Sequence, residues 1–397
     1  MGVAPPLVGR SPGAQRGQRR PRPHLLRPTS VESNVRATGY GQPDVVDTPV
    51  TRSVERGSDR SHVWCPIGRY HSVERWRTLD GVRGLAIIMV VVYHAYPGLV
   101  PMGGPTGVSL FFVLSGFLIT NLLLRELGEK GRVDMRHFYG RRVRRLAPAL
   151  LIYLVFSTVV FGWSITWQPL FYVGNYTQIF GPMLRENAHT WSLAVEEHFY
   201  IIWPLALVSI AALRRWRFLA GLVGILLVWR LMVPSSSWAY FATDTNAYAL
   251  GLGALLVLVK DRRQPPRWAL WLSLAGLVGL SLYPSSGFDV ARWTAIVASL
   301  LGCVLIWSAV HHPNRLLETR VMTGVGRISY ALYLWHVAVI SLMGWSLGSE
   351  YAWLAIAVSV LVAGLSWHLV ERPILGSRRS ASKHPAVRIG AAADIGV

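Results

Sequence analysis

Acidic residues are scarce in this chain. Asp and Glu number 20 against 40 Lys and Arg in 397 residues, a formal net charge of +20. Charges of either sign make up only 15% of the chain, while 52% is hydrophobic and the mean hydropathy is +0.36. A soluble domain of this length rarely sustains that balance. Cysteine is nearly absent as well: Cys65 lies in a polar stretch and Cys303 in an apolar one. A disulfide framework or a thiolate metal site is therefore not expected. Walker loop, dinucleotide fingerprint, metal-ligand cluster and G-x-S-x-G elbow are all missing, so no metal and no bound cofactor are expected.

Long apolar runs, by contrast, are abundant. They recur at about 82–98, 107–124, 146–167, 192–212, 217–233, 242–259, 268–283, 293–310, 328–346 and 351–370. The runs are continuous rather than alternating, which excludes a closed barrel and predicts an all-α, multi-pass protein of about ten transmembrane helices. Seventeen tryptophans suit the membrane interface and call for no cofactor.

Residues 1–77 are rich in Arg, Pro, Gly and Ser without periodicity and read as a disordered basic tail. The tail lacks a signal-peptide apolar core and is not expected to direct secretion. A translation start farther along the chain is an alternative reading. The expected organisation is this tail, a transmembrane domain over 78–375 and a second disordered tail over 376–397.

Basic residues sit in short loops between apolar runs, with no aromatic interleaving, so no nucleic-acid partner is expected. With the first tail in the cytoplasm, eighteen Lys and Arg fall in inside loops against two, Arg185 and Arg292, outside. The positive-inside rule then predicts both termini in the cytoplasm. No internal repeat is visible, which weighs against common transporter builds.

Four stretches could carry chemistry. In RGLAIIMVVVYH, Arg83 and His94 are eleven residues apart, which places them on one helical face about 16 Å apart along the axis. Asp80 lies one turn earlier on the same stripe. An ionisable group in hydrocarbon is expensive, so this stripe reads either as a functional face or as an interfacial anchor plus a packing hydrogen bond. In TWSLAVEEHFYIIWPL, Glu196 and Glu197 point about 100° apart, so one is expected to face the bundle and the other the interface. A buried carboxylate beside a histidine could orient the imidazole; a polar helix start is the plainer reading. FYGRRVRRLAP carries Arg141, Arg142, Arg144 and Arg145, suited to bidentate phosphate recognition, to anionic lipid headgroups or simply to setting orientation. In GRISYALYLWH, Ser329, Tyr333 and His336 share a helical face, with packing the plainer reading. Gly107 and Gly116 of GVSLFFVLSGF suit close helix packing.

Together with the closing HLVERP, and in this order, these stretches resemble the acyltransferase 3 family of integral membrane O-acyltransferases, over about residues 78–375. The chain ends too soon for the soluble hydrolase-like domain that some members carry, and so resembles the stand-alone form. The resemblance implies transfer of an acyl group, often acetyl, from cytoplasmic acyl-CoA as co-substrate to a hydroxyl of a carbohydrate, lipid-linked glycan or glycosylated metabolite at the cell membrane. Arg83 and His94 match its Arg-x10-His pair, Arg142 and Arg145 its Arg-x-x-Arg motif, and Trp191, Ser192, Leu193 and Glu196 its Trp-Ser-Leu-x-x-Glu element. The expected roles follow: Arg142 and Arg145, with Arg141 and Arg144 adjoining, hold CoA phosphates, and His94 is the general base. Glu196 orients His94, and Arg83 steadies the donor or pairs with Asp80. Trp191, Ser192, Tyr333 and His336 bind substrate or support the site. His198 replaces a usual Gln, and Asp244-Thr-Asn246-Ala-Tyr248 replaces a usual Thr-Arg-Ala-Asp setting. The rival expectation is a proton-coupled exporter of glycans with Arg83 and His94 as a relay.

Overall fold

A computed structural model describes residues 77–181, 186–212, 216–284, 287–343 and 348–375. The expected tails over 1–77 (all but Arg77) and 376–397 lie outside the described residues, as do Cys65, Arg185, Arg214 and Arg215. Every described element is helical, and no strand occurs among the described residues.

In chain order the helices are α1 (Arg77–Ala95), α2 (Gly103–Lys130), α3 (Met135–Phe161), α4 (Trp163–Leu170), α5 (Gly174–Phe180), α6 (Trp191–Ala212) and α7 (Trp216–Met232). There follow α8 (Ser236–Phe241), α9 (Thr243–Val259), α10 (Arg267–Ser281), α11 (Phe288–His311), α12 (Arg320–Arg327), α13 (Ser329–Met343) and α14 (Gly348–Ser366). A 3₁₀ turn at Ala188–Thr190 leads into α6, and a π turn at Trp367–Glu371 prolongs α14.

All ten expected apolar segments form helices among their described residues, but they do not all reach spanning length. Among the described residues, seven helical stretches are long and apolar enough to cross a membrane, or eight if α12 and α13, bent by 74°, form one span. Helix α10, at 15 residues, is short of the 30 Å hydrocarbon layer at about 1.5 Å per residue. The architecture is that of a multi-pass helical membrane protein.

Helix α2 is the centre of the bundle. Of its apolar window 78% is buried, against 28% for the window of α3 and 22% for that of the α14 segment. The exposed Leu151, Ile152, Val155 and Val159 of α3 are what a lipid-facing surface needs. Glycine lets α2 approach its neighbours. A Cβ at Gly116 would lie 1.9 Å from Leu250 O, and one at Gly253 would lie 2.0 Å from Val113 O. Gly107 likewise faces Ala86 O of α1, so the close packing expected of Gly107 and Gly116 is present.

The α2–α3 corner places the arginine-rich start of α3. Gly131, in the left-handed region at φ 69°, ends α2 with its N–H on Leu127 O. Asp134 then caps α3 by accepting from His137 N at 2.9 Å. Buried Glu126 clamps the corner, 3.1 Å from Lys130 and 3.5 Å from Arg141.

Candidate active site

A cavity of about 660 Å³ opens beside the start of α3. Arg83 of α1 and Arg141, Arg142, Arg144 and Arg145 of α3 line it, together with Glu196 and Glu197 of α6. Arg83 reaches the cavity in the company of Asp80, whose carboxylate lies 3.7 Å from the guanidinium. Arg145 is exposed to the cavity, whereas Arg141 is drawn toward Glu126. The guanidinium of Arg142 lies flat over the Tyr200 ring at 3.4 Å, and its Nε is buried without a hydrogen-bond partner among the described residues.

Glu196 does not meet His94. Its two oxygens accept from Ser115 Oγ at 3.0 Å and Tyr200 Oη at 2.7 Å. The expectation that it orients His94 is thereby replaced: Glu196 organises Tyr200, and through that ring the seat of Arg142. One of Glu196 and Glu197 was expected to face the bundle and the other the interface, yet both line the cavity. The cavity is wide enough to meet two faces of α6 one residue apart.

At its inner end the cavity reaches Ser192 of α6 and Tyr333 of α13. Ser192 Oγ lies 2.7 Å from Tyr333 Oη, and Tyr333 in turn donates to the carbonyl of His189. Behind Tyr333, one turn along α13, is His336, which is fully buried. His336 Nε2 lies 3.2 Å from His94 Nδ1. His94 itself does not line the cavity; it stands half-buried, three turns along α1 from Arg83. A file of polar side chains thus leads inward, Arg142, Tyr200 and Glu196 in one linked set and Ser192 and Tyr333 in a second, with His336 and His94 behind it. Trp191 supports it from the side, edge-on to Phe112 and Phe241.

Sequence reasoning missed His189. It sits in the 3₁₀ turn before α6, its ring 5.2 Å from that of His336, its Nε2 on Leu334 O. The signal was its place two residues before Trp191, but a histidine outside a helix has no periodic face to betray it.

The departures at 244–248 form their own network. Fully buried Arg230 of α7 donates to Ala239 O at 2.6 Å, Thr245 O at 3.2 Å and Asn246 Oδ1 at 3.1 Å. Its guanidinium carbon lies 5.4 Å from the Tyr248 ring centre. A cation from α7 thus stands against the start of α9, with carbonyls and an amide as its acceptors. His198 is engaged by Thr243 Oγ1 at 2.8 Å and stacks on Tyr176.

Among the described residues no cluster of His, Cys, Asp or Glu could hold a metal ion. What the geometry offers is an arginine-lined mouth, a polar file and an imidazole at its far end.

Comparison with known proteins gives this arrangement a setting. The family described as "Acyltransferase domain" matches residues 76–371. A Bacillus subtilis protein named "Putative peptidoglycan O-acetyltransferase YrhL" is 32% identical over 77% of this chain and 56% of its own length. The peptidoglycan O-acetyltransferase OatA of Listeria monocytogenes is 30% identical over 75% of this chain and 55% of its own. The chain thus spans little more than half the length of these relatives. No solved structure matches it.

Proposed function

Because the chain belongs to the acyltransferase family, we propose that it is a cell-membrane O-acyltransferase that moves an acyl group, acetyl first among them, from acyl-CoA to a hydroxyl of a carbohydrate. The observation that carries this reading is the cavity with five arginines, where Arg142 Nε is buried and unpartnered. A polyphosphate donor answers both features, since planar guanidinium forks match phosphate oxygens. A volume of about 660 Å³ also suits a cofactor-sized ligand. The names of the two relatives support an acetyl group and a glycan hydroxyl.

In this reading the CoA phosphates rest on Arg142, Arg144 and Arg145 at the cytoplasmic face. The chain crosses the membrane ten times with both termini inside, α7 and α10 included as short crossings, in keeping with the loop charges. The thioester arm runs up the file past Ser192 and Tyr333, which part to admit it. His94 takes the proton of the acceptor hydroxyl as its oxygen attacks the thioester carbonyl. The new C–O bond forms as the C–S bond breaks, and the proton passes to the departing CoA thiolate. Direct attack and a transient acyl-His94 both satisfy this balance.

The test is CoA release and oligosaccharide acetylation by the protein in liposomes supplied with acetyl-CoA. His94→Ala lowers turnover by roughly 10²–10⁴-fold, the range of positioned proton transfer. Wild-type turnover in that variant removes the base, and proton-coupled glycan flux without CoA release would make the protein an exporter instead.

A further inference from the structure

Three histidines meet behind the cavity, and their hydrogen bonds leave little freedom in where the protons sit. His336 Nδ1 lies 2.7 Å from Tyr333 O and 3.0 Å from Leu332 O. Carbonyl oxygens only accept, so Nδ1 carries the proton and Nε2 of the neutral ring presents a lone pair. That lone pair faces His94 Nδ1 at 3.2 Å. His94 Nδ1 also lies 2.8 Å from Val90 O, a second acceptor. Both contacts require a proton on His94 Nδ1, and neutral His94 then exposes its lone pair at Nε2. Val90 O already receives a helical amide, whereas among the described residues His336 Nε2 has no hydrogen-bond partner but His94.

We propose that His336 is the positioning residue of the reaction: it holds His94 as the Nδ1–H tautomer with Nε2 free to act as base, and accepts from Nδ1–H when the ring becomes a cation. This rests on the proposed role of His94. In His–carboxylate pairs an acid usually fills this place; here Glu196, the acid expected there, is committed to Ser115 and Tyr200. A neutral imidazole suits an apolar site because it orients without adding a buried charge. The other titratable groups around His94 are the neighbouring Tyr93, Tyr333 on α13 and His189 in the turn before α6, with Tyr153 of α3 behind His189.

Two measurements test this on the full chain in nanodiscs. The first is the ¹⁵N spectrum of labelled histidine, with His94 assigned by its loss in His94→Ala. The wild type shows His94 protonated at Nδ1, and an Nε2–H tautomer overturns the proposal whether or not acyl transfer is observed. The second is kinetic. His336→Leu lowers kcat roughly tenfold or more, leaves the KM for acetyl-CoA unchanged, and moves the acidic limb of the pH profile to lower pH because the imidazolium loses its acceptor. His336→Gln, whose amide oxygen can accept at the Nε2 position, recovers part of kcat. Equal losses in the Leu and Gln variants, or an unmoved acidic limb in both, reduce His336 to packing. If His94→Ala keeps full turnover in the same assay, the base assignment fails instead, and the two failures are told apart.

Discussion

Ser192 and Tyr333 share a 2.7 Å hydrogen bond that closes the inner end of the arginine-lined cavity. The pair joins α6 to α13 at a level between the arginine-lined mouth and the two facing imidazoles. Tyr333 also donates to the carbonyl of His189, so one hydroxyl ties three segments together. Tyr333→Phe strips two buried groups of their partner. The expected cost is about 1–3 kcal/mol, read as a lower unfolding midpoint in detergent. An unchanged midpoint would mean that water or a rotated Ser192 replaces the bond at no cost.

Arg142 offers a sharper distinction than simple loss of charge. Its guanidinium packs flat on Tyr200, which is itself held by Glu196. Lysine keeps the charge but neither the planar fork nor the stacking. Both Arg142→Lys and Arg142→Ala are expected to raise the KM for acyl-CoA. One charge-assisted contact is worth about 1.5–3 kcal/mol, so the rise is about 10–100-fold in the Ala variant, with Lys intermediate. Wild-type KM in both would return the cluster to a topology signal.

How much of this was readable beforehand depends on whether a feature is local. The shared face of Arg83 and His94 follows from helical periodicity alone. The positions of the ten apolar helices follow from hydropathy, though their lengths do not: α10 starts only after Pro266 and runs no farther than Ser281. The family resemblance named motifs and not their contacts. His94 meets His336 across 242 residues of sequence, and no periodicity in α1 names the helix opposite it. Glu196 illustrates the same limit. A carboxylate near a histidine in depth invited a pairing, but Ser115 and Tyr200 are closer, and only the packing of α2 on α6 decides that. Arg230 carries no local sign of its burial either, yet it is fully buried against the 244–248 stretch.

Glycine contacts at the bundle centre predict a contrast. A side chain at Gly116 or Gly253 meets backbone within about 2 Å, where no rotamer change can help. Gly116→Val is expected to separate α2 from α9 and to abolish monodisperse protein on size exclusion. Gly279→Ala, at a position with nothing within 4 Å, is expected to behave as wild type. A well-behaved Gly116→Val protein would contradict the close α2–α9 crossing.

Asn246 separates two readings of the altered α9 motif. If the motif had merely lost an ion pair, an acid at 246 facing Arg230 should strengthen the protein. The geometry predicts the reverse. Asn246 Oδ1 does accept from Arg230 at 3.1 Å, but its Nδ2 donates at 2.8 Å to both Tyr240 O and Ala242 O. In Asn246→Asp a carboxylate oxygen would face those two carbonyls, with two donated bonds lost and repulsion in their place. Leaving buried acceptors unmet costs about 1–3 kcal/mol, and the single contact with Arg230 was already being made. The variant is therefore expected to unfold at lower temperature than wild type, while Asn246→Leu, which also abandons Arg230, falls further. A more stable Asp variant would show that α9 can rotate to bring the carboxylate wholly onto Arg230, and would make the amide a replaceable feature of this chain.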